Sequence, residues 1–239
     1  MALDIDKITA YYQPIVDLKT GKYNKYESLL RYPDDQGNYI FPLGEFGAMR
    51  ESDRDSDKES YFQCTMKMLS EVLRKLEMNN EISISLNISY DDIETDERYD
   101  EILNEIRSAN NVADRLVLEF IEEKELKDKN RVREFMEKAK RFGCKFALDD
   151  FGKGYATFDP LLSFDFDYLK LDKVLVENFT EDPKRYYILD MLINMSKRLN
   201  IKIVAEYVES EEMASALSFI GCDYGQGFYF GRPDPAIRE

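Results

Sequence analysis

The sequence predicts an α/β fold, a modified (β/α)8 TIM-like barrel with the first strand antiparallel to the second. Three observations carry that expectation. Eight short runs rich in β-branched and aromatic residues recur along the 239-residue chain, with amphipathic stretches of helical period between most of them. Several runs, ISISLNI and KFALDD among them, are nearly continuous in apolar residues, as suits strands covered on both faces. The first two runs are joined only by DLKTGK, a hairpin-length link with no room for a crossover helix.

In chain order the strand runs cover residues 8–16, 23–31, 81–89, 115–120, 145–149, 168–171, 202–205 and 225–229. Between them, 60–76 sets Phe62, Met66, Leu69, Val72, Leu73 and Leu76 at helical spacing, and 100–109 does so with Ile102, Leu103 and Ile106. A third stretch, 131–142, uses Val132, Phe135, Met136 and Ala139, and a fourth, 186–199, uses Ile188, Leu189, Leu192, Ile193 and Met195. The charged segment MRESDRDSDKES, 49–60, reads as a solvated helix end or loop, or else as a contact surface for another domain or protein. ETDERYDE, 94–101, reads as a solvated helix start, because acids are favoured near a helix N-terminus. No Pro/Gly/Ser-rich linker, low-complexity tract or internal repeat divides the chain, so one domain is expected over 1–239.

Composition narrows the chemistry. The chain has no His, which removes a Ser-His-Asp triad, a His general base and His-ligated zinc. Lys and Arg number 33 against 48 Asp and Glu, a net charge of −15, which disfavours DNA or RNA polymers and anionic membrane surfaces as partners. With 44% apolar residues there is material for a sizeable core. Cys64, Cys144 and Cys222 form no CxxC pair and read as reduced thiols. MALDIDKITA lacks the basic and apolar regions of a signal peptide, and no apolar run approaches the ~18 residues of a membrane span. A soluble, cytoplasmic protein without membrane insertion is expected.

Barrel enzymes carry their chemistry at the C-terminal ends of the strands. Those ends hold Glu27 in YESLLR, Asn87 in SLNIS, Glu119 and Glu122 in LVLEFIEE, and Asp149-Asp150 in FALDDFG. Lys170 in YLKLD, Glu206 in IVAEYVE and Gln226 in YGQGFYF follow. One acid at a strand end is commonly a cap or a solvated turn. A carboxylate, amide or Lys at seven successive ends is a constellation, and barrel closure would bring it to one mouth. Carboxylates crowded within ~4–6 Å repel unless a cation compensates them. Oxygen ligands favour hard cations such as Mg²⁺ or Mn²⁺, and the adjacent pair Asp149-Asp150 suits two metals about 3.5–4 Å apart. DDFG by itself could be an acidic turn with Gly152 and Gly154 at positive φ. The DFG of protein kinases is excluded, since without His there is no HRD, and no GxGxxG occurs.

From QPIVDL to GCDYGQGFYFGRP, with YESLLR, SLNIS, LEFIE, DDFGKGY, YLKLD and AEYVE in order between them, the chain resembles the EAL-domain family of bacterial cyclic di-GMP phosphodiesterases. The resemblance covers nearly the whole chain and implies a barrel that hydrolyses cyclic di-GMP to linear pGpG with two Mg²⁺ or Mn²⁺ per site. It makes Glu27, Asn87, Glu119 and Asp149 ligands of one metal, and Asp149, Asp150 and Glu206 ligands of the other, with Asp149 bridging. By the same likeness Lys170 orients or deprotonates the attacking water, Gln226 supports waters at the metals, and Glu122 anchors the loop after DDFG. Gln13 and Arg31 match substrate-contacting positions. The charges agree: the five acidic ligands sum to −5, two divalent metals add +4, and Lys170 with Arg31 brings the site to about +1 for a substrate carrying two phosphodiester charges.

The resemblance also implies a homodimer through the loop after DDFG, and regulatory domains in a longer parent protein. Three departures stand out. The namesake Glu-Ala-Leu is Glu27-Ser28-Leu29, the usual Leu-Thr after Glu119 is Phe120-Ile121, and a family glycine is replaced by Tyr207 directly after Glu206. A ring there is expected either to shift Glu206 or to narrow the mouth. The alternative function is therefore a catalytically silent domain that acts as a cyclic di-GMP receptor or through protein contacts alone.

Overall fold

A computed structural model of the chain describes residues 4–52, 54–109, 111–121, 128–153 and 158–237. Its strands are β1 (Thr9–Asp17), β2 (Lys25–Pro33), β3 (Tyr39–Ile40), β4 (Ser83–Ile88), β5 (Leu116–Ile121), β6 (Lys145–Phe151), β7 (Tyr168–Leu171), β8 (Lys202–Ala205) and β9 (Tyr224–Gln226). Its helices are α1 (Leu43–Glu51), α2 (Asp55–Met78), α3 (Asp96–Ser108), α4 (Lys129–Arg141), α5 (Asp159–Ser163), α6 (Lys173–Val176), α7 (Pro183–Leu199) and α8 (Glu211–Phe219). All the strands but β3 close into a ring, β2-β4-β5-β6-β7-β8-β9-β1, which the β1–β2 pairing completes. β1 is antiparallel to both of its neighbours, and every other pair in the ring is parallel. The barrel and its reversed first strand are as the sequence predicts. No described helix is long and apolar enough to cross a membrane.

Local chemistry explains the reversal. Asp17 Oδ1 accepts from the N–H groups of Lys19 and Thr20 at 2.9 and 2.8 Å, and Gly21 takes φ +69, so the chain turns back at once. β3 is an addition to the predicted strands. Asp34 Oδ1 binds the N–H groups of Gln36 and Asn38, Gly37 takes φ +82, and this tight turn lays Tyr39–Ile40 against Tyr32 and Pro33. β9 is shorter than predicted, because Gly227 O accepts from the N–H groups of Phe230 and Gly231 and coils residues 227–230 into a turn. α2 starts earlier than its apolar pattern, within the charged segment, where Asp55 and Asp57 occupy the first turn and Arg54 pairs with Asp57 at 2.7 Å. Thr95 Oγ1 caps α3 through the Arg98 N–H, as a solvated acidic helix start requires.

Two apolar layers surround the site. Outside the strands, Phe120 of β5, Phe146 of β6 and Phe135 of α4 pack with ring centroids 6.1–6.4 Å apart. Phe120, one of the departures, is thus a core residue facing away from the barrel axis. Inside, Ile15, Val117, Ala147, Tyr168 and Val204 fill the barrel with Tyr224 against them. At the N-terminal end Lys25 closes this layer, donating to Tyr168 Oη at 3.0 Å and to Ser83 Oγ at 3.2 Å. The carboxylate cluster lies at the opposite, C-terminal end.

Candidate functional site

Barrel geometry aims most of the strand-end residues at one point. Asn87 and Glu119 are paired across β4 and β5, and Glu119 is in turn paired with Ala147 on β6. Asp149 follows Ala147 by two residues, so it faces the same way as Ala147, into the barrel. An ordinary strand would send Asp150 to the opposite face. Instead, the β6–β7 register breaks between Leu148 and Phe151, and Asp150 adopts φ +55. This bulge keeps Asp150 on the site's side, and carboxylate oxygens of Asp149, Asp150 and Glu206 come within 4.8 Å of one another. Gly152 then takes φ +102, the conformation that the acidic-turn reading of DDFG assigns it, and a Cβ there would meet Leu175 at 2.6 Å. Gly154 lies outside the described residues.

Lys170 is the centre of the cluster. Its side chain is 1% exposed, and Nζ lies 2.7 Å from Glu119 Oε2, 3.0 Å from Asp149 Oδ1, 3.1 Å from Glu206 Oε1 and 3.3 Å from Glu27 Oε2. Burial disfavours the ammonium, but the four carboxylates outweigh it and hold its pKa well above the ordinary lysine range. Glu119 and Glu206 are each pushed up to about 8, first by burial, against the pull of Lys170. Glu206 keeps 22% of its side chain open, yet protein rings it closely enough for desolvation to dominate. Burial also raises Asp150, whose Oδ2 is held at 2.6 Å by Lys153.

Amides complete the arrangement. Asn87 Nδ2 donates to Glu27 Oε1 at 3.0 Å, and Gln226 Nε2 donates to Glu27 Oε2 at 2.6 Å. The carbonyl oxygens of both amides, Asn87 Oδ1 and Gln226 Oε1, are buried with no hydrogen-bond partner. Asp149 Oδ1 likewise accepts no well-aligned hydrogen bond, although Lys170 Nζ lies within ion-pair distance. Buried oxygens normally find partners. Unfilled acceptors among crowded carboxylates, with Lys170 among the described residues the one ammonium touching four of the acids, fit an oxygen-coordinated divalent cation.

Other predicted residues fall around this cluster. Gln13 Oε1 accepts from Gln226 Nε2 at 3.3 Å, and Gln13 Nε2 donates to Gly231 O, so Gln13 lies at the mouth. Arg31 stands apart from Lys170, half buried, donating to Leu30 O and lying over the Tyr11 ring. Burial lowers its pKa, against the pull of Glu27. Ser28 donates to Ser85 O at 2.6 Å, which turns it away from the carboxylates. Glu122 and residues 154–157 of the loop after DDFG lie outside the described residues.

Tyr207 does not displace Glu206, whose Oε1 still reaches Lys170. Its ring instead lies under Lys173 Nζ, 4.1 Å from the centroid. Tyr207 is also the first cause that holds the Lys173 pKa above its ordinary value. Three residues near the site escaped the sequence reading: Lys153, Lys173 and Phe228. Lys153 and Lys173 follow DDFG and YLKLD directly, so their signal was adjacency to strand ends.

Comparison with known proteins agrees with this geometry. The cyclic di-GMP phosphodiesterase PdeB of Shewanella oneidensis is 29% identical over 243 residues, which cover 98% of this chain and 27% of PdeB. Across three such curated relatives the chain spans 27% to 46% of their length. A crystal structure of an EAL domain protein from Listeria monocytogenes matches with a TM-score of 0.86 and 27% identity, over 96% of this chain and 90% of that one. PaMucR phosphodiesterase, solved as a c-di-GMP complex, matches with a TM-score of 0.83 and 27% identity, over 98% and 95% of the two chains. The family model described as EAL domain covers residues 1–233, which joins the barrel, its reversed strand and its carboxylate mouth in one assignment: the chain belongs to the EAL domain family.

Proposed function

We propose that the chain is a metal-dependent phosphodiesterase hydrolysing cyclic di-GMP to linear pGpG in bacterial second-messenger signalling. The observation that carries this reading is the convergence of Glu27, Glu119, Asp149 and Glu206 on Lys170 at the barrel mouth. Glu27, Asn87, Glu119 and Asp149 would hold one Mg²⁺ or Mn²⁺, and Asp149, Asp150 and Glu206 a second. Bound there, such cations supply Lewis-acid stabilisation of a phosphoryl oxygen and lower the pKa of water.

The chain's own residues do the positioning. In the metal-free cluster the carboxylates hold Lys170 Nζ as an ammonium; with cations on those carboxylates it would be the group that orients or deprotonates the attacking water. Gln226 fixes Glu27 through Nε2 and leaves Oε1 to accept from a water. Gln13 and Arg31 take the substrate at the mouth and at its edge, and Glu122 anchors the loop after DDFG. The buried free thiols Cys64, Cys144 and Cys222 accord with a reducing cytoplasm. The greater length of the relatives supports regulatory domains beside this one, and pairing of two copies through the loop after DDFG belongs to the same reading.

The test is incubation with cyclic di-GMP and Mg²⁺ or Mn²⁺, following pGpG by chromatography. Turnover that Glu27→Ala abolishes, in a variant with an unchanged circular dichroism spectrum, supports the proposal. No turnover by soundly folded protein with either metal overturns it. Tight binding in that case identifies a silent receptor.

A further inference from the structure

We propose that Tyr207 is a specificity residue of this site, its ring being a platform on which a purine base of the cyclic dinucleotide stacks. The inference rests on the cyclic di-GMP reading above and adds a base contact to it. It begins with the backbone. Tyr207 holds φ +60, a conformation uncommon for a bulky side chain. Val208 imposes it. Fully buried, Val208 donates its N–H to Gln226 O at 3.0 Å and accepts at its own carbonyl from Tyr229 N at 3.1 Å. Gly227 permits that closeness, since a Cβ there would sit 2.1 Å from Val208 O. The chain must therefore turn sharply between Glu206 and Val208, and glycine would make the turn without strain. The ring contributes nothing to the turn.

What the ring does is line the mouth. Tyr207 borders a cleft of about 270 Å³ together with Glu27, Glu206, Gln226 and Phe228. Lys173 lies over its ring, 4.1 Å from the centroid. Phe228 repeats the pattern: it is 51% exposed, and Arg232 Cζ is 3.9 Å from its ring centroid. Two aromatic rings, each paired with a cation, thus border one cleft beside the carboxylate cluster. A ligand suited to such a cleft has a flat aromatic group joined to a phosphate. A purine stacks on the aromatic, and the neighbouring ammonium or guanidinium attracts the phosphate. Such stacking is worth about 5- to 150-fold in affinity by alanine substitution.

The experiment titrates cyclic di-GMP into wild type, Tyr207→Gly and Tyr207→Phe, with Ca²⁺ as the divalent cation. Mn²⁺ affinity and melting temperature are measured on the same samples. The expected result is binding weakened about tenfold in Tyr207→Gly and retained in Tyr207→Phe. Mn²⁺ affinity should be unchanged in both, and Tyr207→Gly should melt no lower than wild type because its backbone strain is relieved. Wild-type binding by Tyr207→Gly overturns the inference. Equal loss in Tyr207→Phe overturns it too, by assigning the effect to the hydroxyl. A parallel fall in Mn²⁺ affinity does the same by assigning it to Glu206. Failure of wild type to bind cyclic di-GMP at all removes the functional reading itself, a result distinct from the other three.

Discussion

At the scale of single residues, the arrangement turns on one ammonium. Lys170 touches four carboxylates, of which Glu27 is also held by the amides of Asn87 and Gln226. Replacing it by Met keeps the bulk of the stem and removes the charge. In metal-free solution Lys170→Met should lose about 3 kcal/mol, the lower end for breaking a buried pair, because Glu119 and Glu206 can take up protons in response. Mn²⁺ should restore more stability to this variant than to wild type, since the cation replaces the missing positive charge. Urea denaturation with and without Mn²⁺ measures both effects. Equal stability of variant and wild type without metal would show that the ammonium is not what balances the acids. The strand-end residues were legible in the sequence because each falls in an apolar run that ends in a polar group. The side to which Asp150 points was not legible. Alternation along β6 predicts the opposite face, and only the bulge at φ +55 reverses it.

At the scale of elements, the mouth is built from short connections braced from behind. Asp92 braces the turn after β4, where its carboxylate accepts from Ser89 N at 2.8 Å, Ser89 Oγ at 2.7 Å and Thr65 Oγ1 of α2 at 2.8 Å. Burial pushes its pKa up to about 6, against those hydrogen bonds. An unfolded Asp titrates near ~3.9, so the folded state binds the proton more tightly. Its contribution to stability is therefore largest below about pH 4, falls as pH rises to about 6, and is constant above. Wild type minus Asp92→Asn should accordingly show a larger stability difference at pH 5 than at pH 7.5 by urea denaturation; a difference that grows with pH would contradict this. Gly227→Ala probes the other brace. Its Cβ would meet Val208 O and N at 2.1 and 2.3 Å, both backbone atoms that cannot swing aside. About 2–4 kcal/mol of destabilisation is expected by thermal unfolding, with loss of turnover because Gln226 and Glu206 flank the clash. The long helices were legible because their apolar residues repeat at helical spacing. α1, α5, α6 and α8 were not, being short segments set by caps and packing rather than by a long stripe, as with Ser210 Oγ accepting from the Met213 N–H at the start of α8.

At the scale of the whole molecule, the net charge of −15 and the acidic mouth would both be relieved by divalent cations, and the two effects separate by experiment. Surface repulsion is screened by any salt, and NaCl at matched ionic strength supplies that part. Binding at the barrel mouth stabilises by linkage, about 2.7 kcal/mol when free metal is a hundredfold above its dissociation constant. For a domain of this size each kcal/mol moves the melting temperature by about 2–4 °C, so saturating Mn²⁺ should raise it by about 5–11 °C beyond the NaCl control. EDTA should reverse the rise. Asp149→Asn, nearly isosteric, at a residue that shares Lys170 with Glu27, Glu119 and Glu206 and lies within reach of Asp150, should lose most of the shift while keeping the NaCl response. An equal rise in NaCl and MnCl₂, or a full shift in Asp149→Asn, would assign the effect to the acidic surface and remove the mouth as a metal site. The barrel makes the specific outcome the expected one. Residues from seven strands and the residue after an eighth meet at that mouth only when β1 closes the ring, so a cation bound there favours the closed fold over every open arrangement of the same chain.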